Sequence, residues 1–206
     1  MAELFVFDWS GVISDDRRPV YEANIKLLEY YGKERIDFEE WKKRTRLTVV
    51  EFLNDHGIYG NPGKLTKQYK EYFNEISPSM PPKMYSEVPD VLEFLKLQEK
   101  RLSVLSAHPE ENLKQEMKDY EIDDYFEFIL GGVVDKVGGL ERTCDAFGIN
   151  KNKTLYTGNT IYDIQAVKQA GVQSACVFTG YHDEERLRAE NPDYAFENLK
   201  GLISLS

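Results

Sequence analysis

Four segments of this sequence end an apolar run, or leave a glycine-rich turn, on a side chain able to do chemistry. Asp8 closes Leu4-Phe5-Val6-Phe7 and is followed by Ser10 and Gly11. A carboxylate at the tip of a buried strand can attack an electrophile and form a covalent acyl intermediate, splitting one hard step into two. The same residue also reads as an aspartate capping a turn. Ser106 closes Leu102-Ser103-Val104-Leu105 and precedes Ala107. Its hydroxyl and the N–H groups after it suit an anion, or a plain helix N-cap. Lys136 stands in the glycine-bordered stretch from Gly131 to Gly139. An ammonium there can neutralise charge shared between a nucleophile and an anionic group, or simply be solvated. Finally, Thr157-Gly158-Asn159-Thr160-Ile161-Tyr162-Asp163 offers an amide oxygen and a carboxylate. Such oxygens suit a hard cation like Mg²⁺, or an ordinary helix cap.

The elements that must position these groups follow from hydrophobic patterning. Apolar runs at Leu4–Phe7, Leu102–Leu105, Phe128–Leu130, Thr154–Tyr156 and Ala175–Phe178 read as strands. Helical patterns separate them at Val88–Lys100, Glu110–Tyr120, Leu140–Phe147 and Tyr162–Ala170. Strands alternating with helices predict an α/β fold with a mostly parallel, doubly wound sheet. In such sheets ligands gather at the carboxyl ends of strands, where all four segments lie. Residues 16–85 break the rhythm with three successive helical patterns. The first is the stripe Val20, Ala23, Leu27, Leu28 and Tyr31; the others cover Phe38–His56 and Leu65–Ile76. Gly60-Asn61-Pro62-Gly63 marks a turn, and Pro78, Pro81 and Pro82 mark the return. The expectation is an α/β core of residues 1–15 and 86–206, with an all-helical cap domain of residues 16–85 inserted after the first strand.

Composition narrows the function classes. The 206 residues are 41% hydrophobic and 30% charged, as in an ordinary globular protein. No apolar run approaches the roughly 18 residues of a membrane span, and the N-terminus lacks a signal-peptide pattern. The expectation is a soluble, cytoplasmic protein. A formal charge of −10, from 36 acidic against 26 basic residues, opposes non-specific nucleic-acid binding. Cys144 and Cys176 lack metal-type spacing and sit in apolar contexts, which favours buried thiols over a disulfide.

In their order, Asp8, Ser106, Lys136 and the Gly158-Asn159 to Asp163 loop resemble the four signature motifs of the haloacid dehalogenase (HAD) superfamily. The resemblance covers nearly the whole chain. Asp15, the run Asp163-Ile164-Gln165-Ala166, Gly180-Tyr181-His182 and Pro192-Asp193-Tyr194 look like its phosphoglycolate phosphatase-like branch, which has a small helical cap. The resemblance implies a HAD-like Rossmannoid three-layer core and a Mg²⁺-dependent phosphatase. Asp8 is then the catalytic nucleophile and, with the Ser10 carbonyl, Asn159 and Asp163, a metal ligand. Ser106, Ala107 and Lys136 hold the phosphate. It also implies a small phosphorylated metabolite as partner, with no nucleic acid and no membrane, in a monomer or homodimer.

Three departures keep alternatives open. The family's second aspartate, which moves the proton, is here Ser10, so roughly 10²- to 10⁴-fold of rate is unaccounted for. The fourth motif opens Gly158-Asn159 where Gly-Asp is usual, removing a charge from the metal site. Lys136 is followed by Val137-Gly138-Gly139 in place of a proline-rich continuation. Asp8-Trp9-Ser10-Gly11 also resembles phosphonoacetaldehyde hydrolase, whose cap lysine is here replaced by Val49. The 2-haloacid dehalogenases share the asparagine and work without metal. A low-turnover HAD-fold binding protein is a further alternative.

Smaller features remain. Arg17 and Arg18 leave the first motif toward the cap, and Lys42, Lys43, Arg44 and Arg46 form a basic cluster. Arg17, Arg18, Lys43 and Arg46 are the cap candidates for substrate contact, although Glu39 with Lys43 and Glu40 with Arg44 have the spacing of surface ion pairs. His108, read as the only histidine near the site, is a candidate for the proton transfer that Ser10 does not provide.

Overall fold

The computed structural model describes residues 2–205. Strand β1 (Leu4–Phe7) is buried along its whole length. Leu4 and Val6 face a core with Leu140, Tyr156 and Val167. Phe5 and Phe7 face another, with Val91, Leu95 and Leu113. A strand covered on both faces reads as a continuous apolar run, which is why the segment shows no polar alternation.

After β1 the chain forms β2 (Ser14–Asp15) and then four helices, α1 (Arg17–Tyr30), α2 (Phe38–Arg44), α3 (Val49–Asp55) and α4 (Pro62–Ile76). It returns through β3 (Lys83–Met84), which pairs antiparallel with β2. The remainder alternates: α5 (Val88–Leu97), β4 (Arg101–Leu105), α6 (Glu110–Asp119), β5 (Phe128–Leu130), α7 (Lys136–Phe147) and β6 (Thr154–Gly158). It closes with α8 (Ile161–Ala170), β7 (Gln173–Val177), α9 (Glu184–Ala189) and β8 (Tyr194–Phe196). The sheet order is β5-β4-β1-β6-β7-β8, and every neighbouring pair is parallel. The chain fills one side of β1 with β4 and β5, then crosses to fill the other. That reversal opens a crevice at the carboxyl end of β1.

Helices α1 to α4 enclose a core of their own, including Tyr21, Ile25, Leu28, Trp41, Phe52 and Leu53. Tyr181, beyond β7, packs against Trp41 with ring centroids 5.8 Å apart, tying these helices to the sheet.

Several expected boundaries shift for physical reasons. The pattern over 38–56 is two helices, because Thr48 and Glu51 form a capping box that starts α3 afresh. Helix α7 begins at Lys136, ahead of the expected Leu140, with the Asp135 carboxylate accepting from the Gly138 N–H at 3.1 Å. Gly138 and Gly139 weaken the helical signal there. A Cβ at Gly139 would lie 2.6 Å from Leu105 Cδ1, so the glycine lets α7 press against β4. Tyr31, expected on the buried stripe of α1, is exposed. Strand β8, helix α9 and the β2–β3 ribbon were not expected. No described helix is long and apolar enough to cross a membrane, and Cys144 and Cys176 are buried free thiols.

Candidate active site

The crevice gathers the four segments. Asp8 leaves the end of β1, Ser106 the end of β4, Asn159 the end of β6, and Lys136 opens α7 beyond β5. The Lys136 ammonium donates to Asp8 Oδ2 at 2.6 Å, to the Tyr156 hydroxyl at 2.7 Å, and to Asp163 Oδ1. Burial opposes its charge, but Asp163 and Asp8 outweigh that and hold its pKa well above the usual lysine value. Burial pushes the Asp8 carboxyl up, offset in part by Lys136 and the Ser106 hydroxyl and reinforced by the Asp163 charge. Asp163 lies below its usual range: burial raises it, but Lys136 and the hydrogen bonds at Thr160 and Asn159 prevail.

Asp163 is a helix cap and a site residue at once. Its Oδ2 accepts from the Thr160 N–H at 2.9 Å, the Thr160 hydroxyl at 2.7 Å and the Asn159 N–H at 3.1 Å. The capping box of α8 thereby fixes the carboxylate and leaves Oδ1 for Lys136. Asn159 is held as firmly. Its Nδ2 donates to the Ser10 carbonyl at 2.7 Å, and its Oδ1 accepts from the Tyr181 N–H at 2.9 Å. Gly11 makes this approach possible: it sits at φ +77°, and a Cβ there would come within 2.8 Å of Asn159 Oδ1.

Beside Ser10 lie two further titratable groups. The His108 N–H donates to Ser106 Oγ at 3.2 Å, while ring Nε2 stands 3.1 Å from Glu116 Oε1, too bent for a straight hydrogen bond. Glu116 is anchored by the Trp9 indole N–H at 2.6 Å. Burial alone would lower the His108 pKa, but Glu116 overrides it, with Asp16 and Asp8 adding to the rise. Asp16 is half-buried, accepts from the Tyr181 hydroxyl at 2.8 Å, and faces the Ser10 hydroxyl. Burial pushes its carboxyl up to about 6.

Asp8, Ser10, Ser106, Ala107, Lys136, Asn159 and Asp163 all line one cavity of about 680 Å³, roofed by the inserted helices. Of the four basic cap candidates, only Arg46 reaches it, and its Nε is spent on Asp55 at 2.5 Å. Arg17 is not at the cavity, since its guanidinium forks onto Asp15 at 2.7 and 2.8 Å. Arg18 stacks over the Phe38 ring at 4.1 Å. Lys43 is an exposed partner of Glu40. Val49 lines the cavity and offers no amine.

Sequence reasoning missed Tyr156, Asp16, Tyr181 and His182. The His182 ring also lines the cavity, so His108 is not the sole histidine there. His182 Nδ1 accepts from the Ile161 N–H at 3.0 Å, and burial drops its pKa to about 3. It is a neutral anchor for the start of α8. Gly180-Tyr181-His182 was visible as a motif, but only the fold reveals its partners.

The donor set suits a hard cation. Asp8 and Asp163 present carboxylate oxygens that Lys136 already bridges, while the Ser10 carbonyl is held by Asn159 Nδ2 and Asn159 Oδ1 by the Tyr181 N–H. Among the described residues no cluster of three or more His, Cys, Asp or Glu side chains could hold a metal. A divalent ion would therefore rest on two carboxylates, a backbone carbonyl and water, and would compete with the Asn159 amide for Ser10.

Comparison with known proteins agrees with this geometry. The family model described as haloacid dehalogenase-like hydrolase matches residues 5–177. A phosphoglycolate phosphatase from Aquifex aeolicus is 27% identical over 216 residues, covering 98% of this chain and 95% of its own. The pyrophosphatase PpaX of Halalkalibacterium halodurans is 25% identical over 126 residues, 59% of each chain. A solved haloacid dehalogenase-like protein from Agrobacterium tumefaciens superposes with a TM-score of 0.83 at 16% identity, covering 100% of this chain and 97% of the other. With the family match spanning most of its length, this chain belongs to the haloacid dehalogenase-like hydrolases.

Proposed function

We propose that the chain hydrolyses phosphate monoesters of small metabolites through an aspartyl-phosphate on Asp8. The observation carrying this reading is the Lys136 ammonium held between Asp8 and Asp163 in a cavity that Ser106 and Asn159 also line. The relatives' names, a phosphoglycolate phosphatase and a pyrophosphatase, agree with phosphoryl hydrolysis. Free thiols at Cys144 and Cys176 accord with a reducing cytoplasm. In this reading residues 16–85 form the cap that shields the reaction from water.

In the first step Asp8 attacks phosphorus and the bond to the leaving oxygen breaks. Lys136 and the Ser106 hydroxyl stabilise charge on the phosphoryl oxygens. His108, kept protonated by Glu116, gives its proton to the departing oxygen. In the second step water attacks the aspartyl-phosphate and the neutral imidazole takes a proton back, releasing phosphate and restoring Asp8. His108 thus does the work for which Ser10 has no usable proton. Mg²⁺ held by Asp8, the Ser10 carbonyl, Asn159 and Asp163 would supply further neutralisation of phosphoryl charge.

One observation favours a second reading, metal-independent attack on a non-phosphate electrophile: the Asn159 amide already occupies the Ser10 carbonyl. Phosphate release from a phosphoester panel, with and without chelator, separates the two. The phosphatase reading expects release that stops in Asp8→Asn and falls on chelation. Release that survives Asp8→Asn rules it out.

A further inference from the structure

The cavity is larger than a two-carbon phosphoester needs. At about 680 Å³ it lies in the range that encloses drug-sized ligands, roughly 300–1,000 Å³. Its floor is the charged site above, but its roof is different. Val20, Leu47, Val49, Phe52 and Tyr69 line it from the inserted helices. The hydroxyl of Thr48 is taken by Glu51, and the Arg46 charge is matched by Asp55. Lys70 stands exposed at the rim. A carboxylate next to the phosphoryl group, or a second phosphate, would have to leave water against apolar and aromatic side chains.

Of the roof's polar groups without a partner among the described residues, the Thr45, Thr66 and Tyr69 hydroxyls included, one is a buried amide. Asn24 lines the cavity from the buried side of α1 and is 5% exposed. Its Oδ1 is enclosed without a hydrogen-bond partner, and among the described residues none bonds its Nδ2. A buried amide left unpaired is costly, and native proteins seldom keep one without a use. The unbonded Nδ2, which is not so enclosed, can donate to a hydroxyl, carbonyl or ether oxygen.

We infer that the preferred substrates are phosphomonoesters of aromatic or branched apolar alcohols carrying one neutral hydrogen-bonding group, which Asn24 reads. The inference rests on the phosphatase reading for turnover but not for binding. The body of the alcohol packs on Phe52 and Tyr69, the phosphoryl group meets Lys136, and Asn24 makes the hydrogen bond that sets orientation. Small acids such as phosphoglycolate, and pyrophosphate, are then poor substrates of this chain even though relatives are named for them.

Three esters of primary alcohols, similar in intrinsic reactivity, test this: 2-(4-hydroxyphenyl)ethyl phosphate, 2-phenylethyl phosphate and phosphoglycolate. The hydroxyphenyl ester should exceed the phenyl ester in kcat/KM by about tenfold, the worth of one neutral hydrogen bond. Both should exceed phosphoglycolate. In Asn24→Leu, with its fold checked by circular dichroism, the ratio of hydroxyphenyl to phenyl ester should fall to about one. Calorimetric binding of the matching non-hydrolysable phosphonates gives the same ranking without turnover. Hydrolysis of none of the esters with the binding order intact would sink the phosphatase reading and leave this inference standing. Tighter binding or faster turnover of the two-carbon acid, or an unchanged ratio in Asn24→Leu, would overturn it.

Discussion

Replacing Lys136 with methionine removes a cation that touches both buried carboxylates, at similar side-chain length. Lys136 Nζ stands 2.6 Å from Asp8 Oδ2 and also contacts Asp163, with side-chain exposures of 15% for the lysine, 10% for Asp8 and 2% for Asp163. Removing one partner of a buried pair costs about 3–5 kcal/mol, because the other charge is left unpaired. Against a total stability of about 5–15 kcal/mol this is a large fraction. For a chain of this size it lowers Tm by roughly 6–20 °C, at about 2–4 °C per kcal/mol. The same change acts on catalysis. Burial already raises the Asp8 carboxyl and Lys136 holds it down, so the variant's nucleophile is more protonated. Below the raised pKa, the ionised fraction of the nucleophile drops about tenfold for every further step of one in pH. Residual activity should therefore rise with pH across the range where wild type is flat. Paired thermal melts and pH profiles of kcat/KM check both consequences. A Lys136→Met protein with wild-type turnover at pH 7 and an unmoved Tm would refute the reasoning.

Other perturbations give separate outcomes. His108→Gln should lower kcat/KM, which reports the first step, by roughly 10²- to 10⁴-fold for poor leaving groups and much less for good ones. The alkaline limb of the wild-type profile, where the raised His108 loses its proton, should disappear with it; a variant that keeps that limb would clear His108 of the role. Asn159→Asp returns a charge to the oxygen donors and frees the Ser10 carbonyl from the amide. Its half-maximal Mg²⁺ concentration in a phosphate-release titration should be lower than wild type, and an equal or higher one would contradict the ligand assignment. Asp16 has a folded pKa of about 6 against an ordinary 3.8. A raised acid stabilises the fold fully below the lower value and loses that contribution as pH rises through the upper one. Asp16→Asn should accordingly show less fall in stability between about pH 4 and 6, and a gain of order 2 kcal/mol at pH 7 in urea melts. Equal pH slopes in both proteins would remove that claim.

The order of motifs carried most of the site in the sequence. Asp8 and Ser106 were legible because a strand buried on both faces leaves an unbroken apolar run, and the polar residue that ends it stands out. Asp163 was legible through spacing alone, since Thr160 to Asp163 reads equally as a cap, and the structure uses it as both. Lys136 had only its place in the order to recommend it. Gly138 and Gly139 disguise the helix it opens, yet they let α7 approach Leu105 closely. Tyr156 is hidden because a tyrosine inside a strand looks like core, and its hydroxyl gains meaning only against Lys136. Pattern reasoning did worst on the cap cations. Arg17, Arg18, Lys43 and Arg46 are local in sequence, but their partners Asp15, Phe38, Glu40 and Asp55 decide where each points. The roof chemistry that Asn24 marks has no sequence signature, since an asparagine on an apolar helix face is readable only once the neighbours are known.

The central claim is a phosphoryl group carried by one carboxylate. Rapid mixing of the protein with an excess of a hydrolysed ester, acid quench within the first turnover, and peptide mass spectrometry tests it directly. The account predicts added phosphate mass on the peptide bearing Asp8, absent from Asp8→Asn and, for an ester of a good leaving group, increased in His108→Gln, where the second step loses its base. Phosphate on another side chain, or turnover with no phosphorylated peptide at any quench time, would contradict it.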